Sequence, residues 1–218
     1  MSNRFIPRVQ VWVCPLWVPF FAVGVVAVAL CPSAGASTII FDNTSNGGNG
    51  FFGVGQGSWE AQRFNSDATN GKLISASLSL ALNNAGRYRI SLYNDVANQP
   101  GTLINNLFDD TTANKPPSNL VQFSGLSQGL SPNTNYWIVL NVPLGEPTGL
   151  GWEVTSNNAG TGSGFQLGTK FSTNQGATWT DRSAVHKLQL VADVPEPASV
   201  GLILLGAAAC FTARARRR

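Results

Sequence analysis

Polar and apolar residues alternate over much of the middle of this chain. In residues 72–82, Ala76, Leu78, Leu80 and Leu82 share one side, and Ser75, Ser77, Ser79 and Ala81 share the other. After the turn-rich stretch Asn83-Asn84-Ala85-Gly86, Tyr88, Ile90 and Leu92 alternate with Arg87, Arg89, Ser91 and Tyr93. A period of two sends successive side chains to opposite faces of a strand, so each run predicts a half-buried β-strand. The short Asn/Gly connection predicts that the two strands pair as a hairpin. Tyr136, Ile138, Leu140 and Val142 form a third stripe, and Leu188, Leu190 and Ala192 a fourth. Segments 38–42, 59–64, 103–108, 120–123, 150–155, 165–171 and 177–179 are weaker strand candidates. No stretch of the body sustains a 3.6-residue period, and no fixed-period repeat argues for a propeller or solenoid. The fold expected is all-β: a single antiparallel β-sandwich, jelly-roll-like, with Gly/Asn/Pro-rich connections such as residues 43–50, 114–118 and 157–164.

The two ends of the chain follow different rules. Arg4 and Arg8 precede a largely apolar stretch from Val11 to Leu30, and Ala34-Gly35-Ala36 puts small residues at the −3 and −1 positions of a cleavage site. Residues 1–36 therefore read as a signal peptide removed by signal peptidase before Ser37. At the other end, Pro195-Glu196-Pro197 is held extended by its prolines. An uncharged run follows at 200–213, and then Arg214, Arg216, Arg217 and Arg218. As a helix, those 14 residues span roughly 21 Å at about 1.5 Å each, against a hydrocarbon core of about 30 Å. The expectation is a short transmembrane helix with a cytoplasmic basic stop. The division expected is signal peptide 1–36, β-sandwich 37–193 and tail 194–218.

The tail resembles the PEP-CTERM sorting signal of Gram-negative bacteria: the Pro195-Glu196-Pro197 motif, the short apolar helix and the arginine cluster occur in its order. The resemblance implies an exosortase as partner, a membrane-embedded transpeptidase-like enzyme that cuts near the motif. It also implies a passing attachment to the inner membrane, delivery to the envelope or exterior, and an exopolysaccharide- and biofilm-forming host. Within the body, Gln62-Arg63-Phe64, residues 73–82, the run Ile90 to Asp95, Pro100-Gly101-Thr102 and the run Leu130 to Leu140 resemble the "choice-of-anchor" β-domains. That resemblance implies an extracellular β-sandwich found with several anchoring tails, and it carries no catalytic residues across.

Charge and cysteine content change meaning once the ends are set aside. Six of the 14 basic residues lie in the signal peptide and the arginine cluster, leaving eight against the 11 acidic ones between Asp42 and Glu196, a net of −3 for the processed body. The whole-chain pI of about 9.0 is thus no sign of a nucleic-acid partner. Cys14, Cys31 and Cys210 all fall in the terminal segments, so the body has no disulfide to stabilise it.

Candidate chemistry in the body is sparse, and no catalytic residue is expected. His186 is the only histidine, and no Gly-x-Ser-x-Gly elbow supplies a nucleophile; the expectation is a half-exposed strand histidine. One histidine and no body cysteine cannot build a typical zinc shell, so no metal ligands are assigned. Calcium, needing only oxygen ligands, could draw on Asp42-Asn43, Asn94-Asp95 or Asp109-Asp110. Glu60 and Glu153, beside Trp59 and Trp152, are the carboxylates a glycoside hydrolase would pair. Gly53-Val54-Gly55-Gln56-Gly57 lacks the Lys-Ser/Thr of a phosphate loop. For sugar stacking, Trp137 and Trp59 are the candidate platforms. Trp152 shares its parity with Leu150 and Val154, which predicts burial. The function expected is a non-enzymatic structural or adhesive role in the envelope or biofilm, with a carbohydrate-binding module acting on exopolysaccharide as the alternative.

Overall fold

The computed structural model describes residues 36–82, 86–109, 119–146, 149–157 and 159–194. They form β1 (Ala36–Asp42), β2 (Phe51–Val54), β3 (Trp59–Asn65), β4 (Gly71–Leu82), β5 (Arg89–Val96), β6 (Gln99–Asp109) and β7 (Asn119–Leu130). Then come β8 (Asn135–Asn141), β9 (Leu150–Thr155), β10 (Phe165–Ser172), β11 (Thr180–Arg182), β12 (Val185–His186) and β13 (Leu188–Val194). One sheet runs β1-β13-β4-β9-β12, with β2 paired to β9 and β7 paired to β4; the other runs β11-β10-β3-β8-β5-β6. Every pairing is antiparallel.

The longer strands lie as β1-β13-β4-β7 in one sheet and β3-β8-β5-β6 in the other. The chain crosses between sheets after β2, β3, β4, β6, β7, β8, β9 and β11, so most consecutive strands lie in opposite sheets. The alternating stripes meet between the sheets: Ala76, Leu78, Leu80, Leu188, Leu190 and Ala192 from one side, Phe64, Ile90, Leu92, Tyr136, Ile138 and Leu140 from the other. Apolar area removed from water at this seam, at about 25 cal/mol per Å², is the main source of stability in a domain without disulfides.

The expected hairpin between residues 72–82 and 87–94 is not formed. β4 and β5 lie in opposite sheets, and β5 instead pairs with β6 and β8. Their stripes face one another across the core, and alternation looks the same whether the next strand joins the same sheet or the facing one. The true hairpin is β5–β6, closed by Ala97 and Asn98 at φ 50° and 64°. Positive φ at both central residues is the type I′ geometry that suits strand twist. Segment 177–179 is loop rather than strand, with β11 beginning at Thr180, and β2 had no forecast at all. Among the described residues no helix is long and apolar enough to cross a membrane. All but the last residue of the expected signal peptide 1–36, and the apolar segment 200–213, lie outside the described residues.

Leu190→Ala in the strand between β1 and β4 is expected to lower unfolding stability by about 2–5 kcal/mol. Leu120→Ala on β7, where half of the residue's surface is exposed (50%), is expected to change it by less than about 0.5 kcal/mol. Urea unfolding midpoints measure both; a larger effect at Leu120 would contradict this core.

Candidate functional site

Alternation on β3 sends Glu60, Gln62 and Phe64 between the sheets and Trp59, Ala61 and Arg63 to the outer face. Glu60 and Gln62 thereby enter a polar cluster at one end of the core, together with Thr169 of β10, Arg182 of β11 and His186 of β12. Arg182 Nη2 lies 3.1 Å from Glu60 Oε1, and His186 Nε2 lies 3.3 Å from Glu60 Oε2. Since a carboxylate only accepts, the imidazole proton sits on Nε2. The His186 ring stacks on Trp152 with centroids 4.2 Å apart and planes 14° from parallel, and Phe52 meets it edge-on at 6.1 Å. The Arg182 guanidinium carbon lies 3.9 Å from the Phe52 ring centre and 4.2 Å from that of Phe171. Aromatic faces on a desolvated guanidinium offset part of the cost of burying it.

Amide side chains join this cluster to the backbone. Gln62 Oε1 accepts from Thr169 Oγ1 at 2.9 Å and from the His186 amide at 3.1 Å. Gln62 Nε2 donates to the Leu167 and Gly168 carbonyls at 3.3 and 3.1 Å, where the β3–β10 register slips between Gln166 and Thr169. A side-chain amide thus satisfies carbonyls that the bulge takes out of the ladder. Gln166 Nε2 and Asn43 Nδ2 both donate to the His186 carbonyl, at 2.9 and 3.1 Å, and Asn43 Oδ1 accepts from the Leu188 amide at 2.7 Å.

His186 is fully buried, not half-exposed as its strand position had suggested. The partner strand changes from β9 at Val185 and His186 to β4 in β13, yet the alternation runs unbroken through Lys187, so His186 faces inward with Leu188, Leu190 and Ala192. Burial pushes the His186 pKa down and the Arg182 charge adds to that, against the opposing pull of Glu60. The imidazole is therefore neutral at pH 7. As chemistry, a carboxylate–imidazole pair could move a proton, but the nearby Thr169 hydroxyl is bonded to Gln62 instead of facing the ring. Glu60 and Glu153 do not converge. Glu60 points between the sheets, whereas Glu153 lies on the outer side of β9, bonded to Ser79 and 3.3 Å from Lys187 Nζ.

A second cluster lies on the outer face of the β3-β8-β5 sheet. Trp137, Ala61 and Val139 are fully buried there beneath half-buried Trp59, Tyr93 and Trp179. Trp137 Nε1 donates to Asp95 Oδ1 at 2.7 Å, and Arg63 Nη2 holds Asp95 Oδ2 at 2.7 Å. The loop after β10 closes over Trp59 at Gly176, where φ is 81° and a Cβ would lie 2.7 Å from the indole ring. Of the two sugar-stacking candidates, Trp137 offers no free ring face and is corrected to a packing residue. It alternates outward as the pattern requires, but its neighbours cover it. Trp59 remains partly exposed, and Trp179 joins it there.

The acidic residues weighed for calcium are engaged elsewhere. Asp42 accepts from Thr44 and Gln189, and Asp95 is held as described. Asp109 takes Arg87 and Arg89, which hold its carboxyl below the usual range. Asp110 lies outside the described residues. Among the described residues, no group of three or more His, Cys, Asp or Glu side chains is placed to hold a metal ion. Gly53–Ser58 lines an open cleft of about 570 Å³ with Gly149 and Leu150, and no charged side chain faces it to meet a phosphate.

The ends of the described chain lie together: Ala36, at the expected signal-cleavage position, pairs with Val194, and Ser37 pairs with Asp193. Asp193 is also where a family match begins. Residues 193–218 match the PEP-CTERM protein-sorting motif. That motif implies export and exosortase-dependent processing at the membrane. The match takes in Pro195, Glu196 and Pro197 and the arginines Arg214, Arg216, Arg217 and Arg218. These residues, like Ala34, lie outside the described part of the structure. No curated protein matches the chain.

Because the folded chain keeps His186 neutral while the unfolded imidazole protonates near pH 6.5, unfolding takes up a proton below that pH. Its contribution is complete above about pH 6.5 and declines as the pH falls, with a limiting slope near 1.4 kcal/mol per pH unit. Urea midpoints from pH 7.5 to 5 should fall for the native chain and flatten for His186→Gln. Equal slopes in the two proteins would contradict a buried neutral imidazole.

Proposed function

We propose that this chain is an exported protein, processed by an exosortase-type enzyme through its tail, whose β-sandwich has a non-enzymatic structural or adhesive role in the cell envelope or biofilm. The match of residues 193–218 to the sorting motif carries the reading. Signal peptidase acts at Ala34–Ala36, the inner membrane holds the chain in passing, and the sorting enzyme separates the domain from its tail. Two features of the body support the non-enzymatic part. In its most chemically capable cluster, Glu60 and His186 are buried, and the partly exposed Arg182 pairs with Glu60. The resemblance to choice-of-anchor domains points the same way.

One observation favours carbohydrate binding as the domain's task. Trp59, Tyr93 and Trp179 share an outer sheet face as half-buried rings, with Asp95 and Arg63 beside them. Flat aromatic faces next to hydrogen-bonding groups suit the alternating apolar and hydroxyl surfaces of sugars. Exopolysaccharide is the ligand class this reading implies.

Replacing Pro195, Glu196 and Pro197 together by alanine is expected to leave tail-bearing precursor in the membrane fraction, seen by mass spectrometry as chains retaining Arg218. Unchanged processing would remove the sorting reading. For the sugar reading, Trp59→Ala and Trp179→Ala are each expected to weaken glycan-array binding at least tenfold while the folded spectrum is kept. No glycan binding by the native chain, or binding indifferent to both changes, sinks it.

A further inference from the structure

The sorting match starts at Asp193, yet Asp193 is not free peptide. In β13 it pairs with Ser37 of β1 on one flank and Lys72 of β4 on the other, and Val194 stands opposite Ala36. An antiparallel ladder uses the backbone N–H and C=O groups of its strands. An enzyme that cuts a peptide must first hold it extended, commonly by those same groups. The β4 side is also tightly packed: a Cβ on Gly71 would collide with the Asp193 carbonyl. One and three residues upstream of Asp193, Ala192 and Leu190 are fully buried in the core. The next residue downstream of Val194 is Pro195, which has no N–H to extend a ladder. Engaged backbone therefore gives way to residues unable to continue the strand within a single peptide unit.

We propose that strand pairing sets the processing boundary: the sorting enzyme cuts the folded protein only on the C-terminal side of Val194, and the mature chain keeps the whole of β13. This rests on the exosortase reading above. In the step itself, a peptide C–N bond at or beyond the Val194–Pro195 junction breaks. The acyl group passes to water, and the new amine of the departing tail takes up the proton. β1 acts as a cover on β13, since it supplies the pairing on the flank away from β4. The sequence motif and the segment the enzyme can reach then differ by the two residues that the fold has taken up.

The test is the C-terminal residue of the full-length protein, read by mass spectrometry after expression in an exosortase-bearing strain and in its exosortase-deleted parent. The expected result is a C-terminus at Val194 or later in the first strain and Arg218 in the second. An exosortase-dependent end anywhere from Leu188 to Asp193 overturns the boundary while leaving the sorting reading intact. Arg218 retained in both strains overturns both. Gly71→Val supplies a second arm, because the added side chain should push the end of β13 off β4. Hydrogen exchange on this variant should show faster exchange at Ala192–Val194, and ends upstream of Val194 should appear among its products. If that segment is freed and the ends do not move, pairing does not set the boundary.

Discussion

Residues 185–194 tie three other strands of one sheet together. Val185 and His186 pair with β9, Leu188 to Asp193 pair with β4, and Ala36 to Asp42 pair back onto the same run from the far side. β12 and β13 together thus close backbone hydrogen bonds for three other strands, and an unpaired buried backbone group costs about as much as a lost hydrogen bond. Its apolar side chains, Leu188, Leu190 and Ala192, face the seam on which the sandwich rests. Its first residues lead into the polar cluster, where the His186 carbonyl takes two amide donors and the Lys187 carbonyl accepts from Trp152 Nε1 at 3.0 Å. The strand that completes the core also sets the position of the buried charges.

Those charges are costly to bury and are not there for lack of an apolar alternative. A buried ion pair seldom exceeds well-packed hydrophobic residues in stability, while removing one partner is strongly destabilising. The gain lies in register. Gln62 and Thr169 fix the bulged strand β10 against β3, Glu60 ties β11 and β12 to β3, and Asn43 and Gln166 fix the crossing of β12 into β13. In a sandwich of short strands, a slip of one residue turns every apolar side chain outward. Directional contacts at one end of the core penalise that slip more sharply than apolar packing alone.

Much of this was legible in the chain. The stripes at Ala76–Leu80, Tyr88–Leu92, Tyr136–Leu140 and Leu188–Ala192 became core strands, and the parity of Trp152 correctly assigned it to the interior. What alternation could not tell was which sheet each strand joined, hence the missed crossing between β4 and β5. It also could not separate outward from exposed. Trp137 points outward and is nonetheless sealed by Trp59, Tyr93, Trp179 and the loop at Gly176, all brought in by other strands or loops. His186 was legible and missed: it lies two residues before Leu188, on the parity that Leu190 and Ala192 share, and the alternation carries straight back to it. The glutamine and asparagine network was unreadable because its partners are far apart in sequence, Asn43 and Gln166 by 123 positions.

The pairing of Ala36 with Val194 has a mechanical meaning. A load on the C-terminal end of β13, resisted by the body of the domain, runs along a strand with ladders on both flanks. The hydrogen bonds of β1 and β4 then share the force in shear and must give way together. A load applied between Ala36 and Val194 is different, because those residues face one another across one ladder and would open it pair by pair from the corner. The same domain is therefore stiff when pulled from its tail and yielding when these two residues are drawn apart.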